Sequence, residues 1–182
     1  MLLQPMLQRL GAAKTLAETI DSGLRDVIAL HGAEMGNVQL PGTDGRLVVV
    51  AARGLGRAFL KTFERVSIDS GTVCGRAAKL GKPLFIPDVS LDEDFKPYRE
   101  FAASVPFRSV LSCPLTSSAG ELVGMVSAHS AHVFAPTPLE LRSAETYARH
   151  LADAIASLAP PSVRVAYAER CSSALMLSTP LA

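Results

Sequence analysis

The chain has 182 residues and a formal net charge of +1, which is long enough for one domain with a real core and too evenly charged for a nucleic-acid footprint. Its three cysteines, Cys74, Cys113 and Cys171, lie far apart, which argues against a disulfide framework and against the paired spacing of a zinc site. No apolar run approaches a membrane span, and the first ten residues lack the parts of a signal peptide, so the expectation is a soluble, cytoplasmic protein with no metal, nucleic-acid or membrane partner.

The first helical pattern is "LQRLGAAKTLAETIDSGLRDVIALHG", with Leu16, Ile20, Leu24, Val27 and Leu30 on one stripe. Gly11 and Gly23 work against a single unbroken helix, and His31-Gly32 supplies a stop. "EMGNVQLPGTDGRLVVVAARG" predicts two strands about an Asp44-Gly45 turn. "RAFLKTFERV" is a short amphipathic helix with Phe59, Leu60 and Phe63 on one side. Ser70 is the expected cap of a helix over 72–80 that Gly81 ends. "PLFIP" is a short strand between prolines, hence an edge or a strand end.

"DVSLDEDFKPYREFAASVPF" is acidic, then aromatic, and broken by Pro97 and Pro106. A loop of that length inside a domain reads as a lid or binding segment. "RSVLSCPLTSSAGELVGMVSAHSA" predicts a second hairpin turning at 117–120, with both arms buried. The next helix begins with a capping box, Thr137 to Glu140, with Pro138 at its first position. It carries Leu141, Ala144, Ala148, Leu151, Ile155 and Leu158 at alternating steps of three and four, the spacing of a coiled-coil seam, and these are the expected dimer interface. Pro160-Pro161 ends it. The expected organisation is an N-terminal extension over 1–15, a domain over 16–159 and a weakly structured tail over 160–182. Hairpins with helices at the ends predict an α+β fold on an antiparallel sheet.

"SGTVCGRAAKLGKPLFIPDV", "SVLSCPLTSSAGELVGMVSAHS" and "FAPTPLELRSAETYARHLADAIA" together resemble a GAF domain over roughly Leu16 to Leu158. The resemblance implies a GAF/PAS-like central sheet with helices on one face and the N- and C-terminal helices packed on the other. It implies a regulatory module that senses a small molecule in a lidded pocket. Signalling would run through terminal helices that pair in a homodimer, to a separate effector such as a histidine kinase. The implied pocket walls are Phe59, Phe63, Ile68, Phe85, Asp88, Phe95, Tyr98 and Phe101, with Val110, Ser112, Ser127 and His129 from the sheet. Neither the ligand nor a cofactor is named by these residues. A ligand-free dimerisation module is a further reading, because a fold does not fix a function.

One branch of that family is enzymatic, the free methionine-(R)-sulfoxide reductases, which use cysteines near the pocket. Cys74 in "GTVCGRA" sits where that branch also carries one. The branch's attacking cysteine lies in the loop before the fourth strand, where "PYREFAASVPF" has none, and its further cysteine would fall near Glu64. The expectation is therefore a non-enzyme without catalytic residues. Cys74 is read as a small packed side chain, with redox sensing as the alternative, since a helix N-terminus and nearby Arg76 favour thiolate. Cyclic-nucleotide and bilin signatures are unmatched, and Asp92-Glu93 reads as a solvated loop face. His129 and His132 lie on opposite faces of a strand and do not share a metal ion. His150 is expected to face solvent and His31 to end a helix.

Overall fold

Two amphipathic helices open the chain where the sequence suggested one interrupted helix. The structure, a computed structural model, describes residues 3–102 and 107–177, and its first helices are α1 (Leu3–Ala12) and α2 (Leu16–Leu30). The break falls at Thr15, whose hydroxyl accepts from the Glu18 amide while the Glu18 carboxylate accepts from the Thr15 amide. This capping box restarts the helix. The expected extension is thus part of the fold, because α1 buries Met6 and Leu10 in the main core.

Six strands form one antiparallel sheet in the order β3-β2-β1-β6-β5-β4. They are β1 (Met35–Pro41), β2 (Leu47–Arg53), β3 (Arg65–Val66), β4 (Leu84–Ile86), β5 (Ser109–Thr116) and β6 (Leu122–Ser130). The hairpins β1–β2 and β5–β6 lie at the turns the sequence marks, where Gly45 and Gly120 take φ of 73° and 81°, a region open to glycine. β4 is an edge, as its prolines require. β3 was not expected; two residues pair with the outer side of β2.

Alternation along the strands sorts the chain into two layers. Val38, Leu40, Leu111, Cys113, Leu115, Val126 and Ala128 face one side, in a core shared with α1, α2, α6 (Pro138–Leu158) and α7 (Pro161–Leu177). The other face is covered by α3 (Arg57–Phe63), α4 (Val73–Leu80), a 3-10 turn over Lys96–Tyr98 and α5 (Arg99–Ala102). This is the α+β arrangement the resemblance implied. Among the described residues no helix is long and apolar enough to cross a membrane, and no group of three or more acidic, His or Cys side chains is placed to hold a metal ion.

Two expectations about the C-terminal part are corrected. Ala144, Ala148, Leu151 and Ile155 are 0–2% exposed inside the chain's own core, and Leu141 packs against that core. Only Leu158, at 40% exposure, looks outward. Tyr147 and Ala152 are also fully buried, and they widen the stripe into an ordinary core-facing side. The outward side of α6 carries Glu145, Arg149 and His150 instead. The close approach of α2 to α6 depends on Gly23, where a Cβ would lie 2.5 Å from the Leu151 side chain.

The second correction concerns the tail, of which residues 161–177 are helical; 178–182 lie outside the described residues. Pro161 does not merely stop α6 but occupies the first position of α7, where a missing amide costs nothing. Arg164, 3% exposed, donates to the Ala159 carbonyl at the end of α6 (2.9 Å) and pairs with Glu121 at the foot of β6. One guanidinium thus ties the helix junction to the sheet.

Candidate functional site

Between the sheet and its lid lies a small cavity of about 30 Å³. Its floor is set by strand register. Asn37 is opposite Ser127, Ser112 is opposite Ser127, and Val110 is opposite His129. With Gln39 two residues beyond Asn37, these side chains share the face away from the main core. Phe59 and Phe63 of α3, Phe95 and Phe107 of the lid, and Thr72, Val73 and Cys74 at the start of α4 complete the lining.

The floor is polar, buried and uncharged. Ser112 and Ser127 hydroxyls bond at 2.8 Å. His129, 5% exposed, bonds Asn37 Oδ1 through Nε2 at 2.9 Å. Burial pushes its imidazole down to about 3, so the ring is neutral at physiological pH. Its edges meet Phe107 and Phe59 at centroid distances of 4.8 and 5.4 Å. Gln39 is 1% exposed. Its Oε1 and His129 Nδ1 have no hydrogen-bond partner among the described residues, although such buried groups are ordinarily satisfied.

The lid is fastened by charge. Arg76 of α4 donates to Asp92 at 2.9 Å and to Asp94 at 2.5 Å. Asp92 also accepts from the Phe95 amide at 2.8 Å, which sets Phe95 over the cavity. Gly71 lets the lid come this close, since a Cβ there would stand 2.3 Å from the Asp94 carbonyl oxygen. Where the lid begins, Asp88 is paired with Arg108 and Ser90, which hold its carboxyl well below the usual carboxylate range. The reading of Asp92 as a solvated face is therefore corrected: its side chain is 15% exposed and holds the lid to α4.

The structure brings Phe59, Phe63, Phe95, Val110, Ser112, Ser127 and His129 together around the cavity. Tyr98 and Phe101 stand behind them, with ring centroids 5.3 and 5.0 Å from Phe63. Ile68 does not join, being 40% exposed. Phe85 points to the opposite face, edge-on to Phe134 at 6.0 Å, because on β4 it alternates with Leu84 and Ile86. Asp88 anchors the lid and does not line the cavity. The sequence reading missed Asn37 and Gln39. Their signal was the alternation Asn37-Val38-Gln39-Leu40, which without structure reads as a solvent-facing polar side.

Cys74 lines the cavity, half-buried, and burial pushes its thiol up. Of the two expected activators, the helix N-terminus is present, since Cys74 is the second residue of α4, but Arg76 is committed to Asp92 and Asp94. Thr72, not Ser70, caps α4 by accepting from the Gly75 amide, and its hydroxyl stands 3.5 Å from Cys74 Sγ while bonding Ser70 at 2.7 Å. Cys113 faces the main core with its thiol pushed up to about 12. His31 is 8% exposed at the end of α2, and burial pushes it down to about 4. His132 is exposed, near Glu34, so it does not meet His129.

Residues 13–156 match the family model of the GAF domain. Among curated proteins nothing matches the sequence. Among solved structures, the GAF domain of a phosphoenolpyruvate-protein phosphotransferase from Coxiella burnetii superposes with a TM-score of 0.73 at 22% identity, covering 86% of this chain and 91% of that one. A domain of a protein named a two-component sensor histidine kinase, from Sinorhizobium meliloti 1021, gives 0.63 at 20% identity over 87% and 99%. Free methionine-R-sulfoxide reductase from Neisseria meningitidis, solved with its substrate, gives 0.68 at 20% identity over 86% and 87%. At these identities the likeness is one of fold, and the three functions differ.

Proposed function

Because the chain belongs to the GAF domain family, we propose that it is a regulatory sensor domain. It binds a small molecule between the sheet and the latched lid and passes the change to its terminal helices. The observation that carries this reading is the buried polar floor of Asn37, Gln39, Ser112, Ser127 and His129 beneath an aromatic roof. Buried polar groups are costly unless hydrogen-bonded, and Gln39 Oε1 and His129 Nδ1 have no partner among the described residues; a largely apolar enclosure with a few polar groups is the composition of a small-ligand site.

The route out runs along α3 and β3. Phe63 roofs the cavity, and the next residues, Glu64 and Arg65, bond Ser172 and Glu169 of α7. A ligand that shifts Phe63 acts on α7 through those contacts, provided it binds one packing better than the other. The helix seam over 141–158 is occupied within the chain, so a second copy does not dock there. An effector protein, such as a histidine kinase, reads α7.

The test is native mass spectrometry of protein purified from cells, followed by denaturation of the same sample. A defined small molecule bound at one per chain, and absent from a Ser112→Val variant whose methyl groups take up the free space and replace the hydroxyl, supports the reading. A wild-type chain that carries nothing and binds nothing from a metabolite library contradicts it.

A further inference from the structure

Two acceptors in the cavity floor are left without a donor among the described residues. His129 Nε2 faces the Asn37 carbonyl oxygen at 2.9 Å and so carries the ring's proton, which leaves Nδ1 as a bare lone pair. Gln39 Oε1 is the second such acceptor. Both atoms are buried without partners among the described residues, and both side chains line the cavity. Among the described residues no Asp, Glu, Lys or Arg lines it; the charged groups nearby are paired with one another in the latch. An anion or cation entering here would lose its hydration and find no counter-charge, which is a large penalty. A molecule with an O–H or N–H, by contrast, satisfies an acceptor that is otherwise desolvated for nothing.

The walls set the rest of the ligand. Phe59, Phe63, Phe95 and Phe107 surround the floor, and their mutual tilted and edge-on contacts are those a further ring would make. The free space of about 30 Å³ suits a water or two. A ring therefore enters by displacing a roof phenyl. Phe95 is the one that can give way, because it is carried by the lid and the lid is held by the Asp92 and Asp94 contacts to Arg76.

We propose that the ligand is a small, uncharged, ring-bearing molecule that donates an O–H or N–H hydrogen bond to Gln39 Oε1 or His129 Nδ1 and takes the place of Phe95 beneath the lid. This rests on the sensor reading and narrows it to one chemical class.

The experiment titrates the full chain with phenol, toluene and benzoate, by calorimetry and by following the His129 side-chain nitrogen resonances. Phenol is expected to bind and to shift the Nδ1 resonance. Toluene, lacking the donor, is expected to bind about tenfold more weakly, the effect of one hydrogen bond to a buried group. Benzoate is expected not to bind. In Gln39→Met and, separately, His129→Phe, the preference for phenol over toluene is expected to shrink; Gln39→Met keeps the bulk if His129→Phe fails to fold. Equal affinity for toluene and phenol, or tighter binding of benzoate, overturns the ligand class. Binding of none of the three overturns it as well. If native mass spectrometry then still finds a charged molecule bound, the sensor reading stands without this class; if it finds nothing, both fall.

Discussion

Arg65 on the outermost strand and Glu169 on the last helix are joined at 2.5 Å, each about 30% exposed. The pair connects two parts of the chain more than a hundred residues apart. Arg65 follows Phe63 in the cavity roof by two residues, and Glu169 also accepts from the Thr43 amide at 2.9 Å in the β1–β2 turn. One carboxylate therefore holds α7 to two sheet elements. In Glu169→Gln, amide exchange across 161–172 is expected to quicken while β5 and β6 stay protected. Equal acceleration everywhere would mean that α7 is not separately held.

The same carboxyl gives a pH dependence. Arg65 holds Glu169 down at about 2, against about 4.3 in an unfolded chain. Its contribution to folding is present above the unfolded value and is lost as pH falls towards the folded one. Exchange in α7 is expected to rise between about pH 4 and 2 in the wild type, and Glu169→Gln is expected to show no such rise.

Histidines act in a higher window. His129 and His31 are pushed by burial to about 3 and about 4, so between those values and the ordinary 6.5 only the unfolded chain takes up the protons. Stability then rises with pH, and each ring is expected to withdraw about 2 kcal/mol between pH 7 and 5. Chemical denaturation of the wild type and of His129→Asn across that range checks it. An unchanged slope in His129→Asn would mean the ring is not buried as described.

How much of this was legible beforehand depends on which face of a strand is asked about. The hairpin turns, the edge strand and the Thr137 capping box follow from local chemistry, and the sequence shows them. The family resemblance places Phe85 in the pocket, yet its neighbours Leu84 and Ile86 face that side; parity decides, and a three-residue strand does not declare its register. Asn37 and Gln39 looked like a solvent face because alternation reports two environments without saying that both are buried. On α6 the spacing from Leu141 to Leu158 suggests a seam, whereas the fully buried Tyr147 makes the core-facing stripe broader. Its hydroxyl makes that burial tenable by donating to Asp26 at 2.7 Å, and Arg9 holds the other Asp26 oxygen at 2.5 Å.

That hydroxyl contact is separable. Tyr147→Phe keeps the ring and removes the donor from Asp26, which is 4% exposed. The expected loss is about 1–3 kcal/mol, the range for leaving a buried acceptor short of a partner. A neutral result in urea unfolding would mean that Arg9 satisfies Asp26 alone.

For the lid, Arg76→Gln removes the cation between Asp92 and Asp94, and Gly71→Ala drives a methyl group into the Asp94 carbonyl. Both are expected to speed ligand dissociation, Arg76→Gln by about tenfold, given the usual worth of hydrogen bonds to charged groups. Stopped-flow displacement measures it. Rates equal to the wild type in both variants would show that the lid does not control exit.

Cys74, with its thiol pushed up and Arg76 turned away, is expected to react slowly with iodoacetamide at pH 7. No turnover of methionine sulfoxide is expected with a thiol reductant. Turnover in the wild type that disappears in Cys74→Ser would place the chain with the reductases instead.

The link between cavity and terminal helix is the step on which signalling depends. Hydrogen exchange, compared between ligand-stripped protein and the same protein with its bound molecule restored, tests that link directly. Added protection is expected in the lid over 88–102 and in the floor strands β1 and β6, with a change in α7 over 161–172. Protection confined to the cavity with α7 untouched would contradict the proposed signal route, and no change in the lid or floor would contradict the site itself.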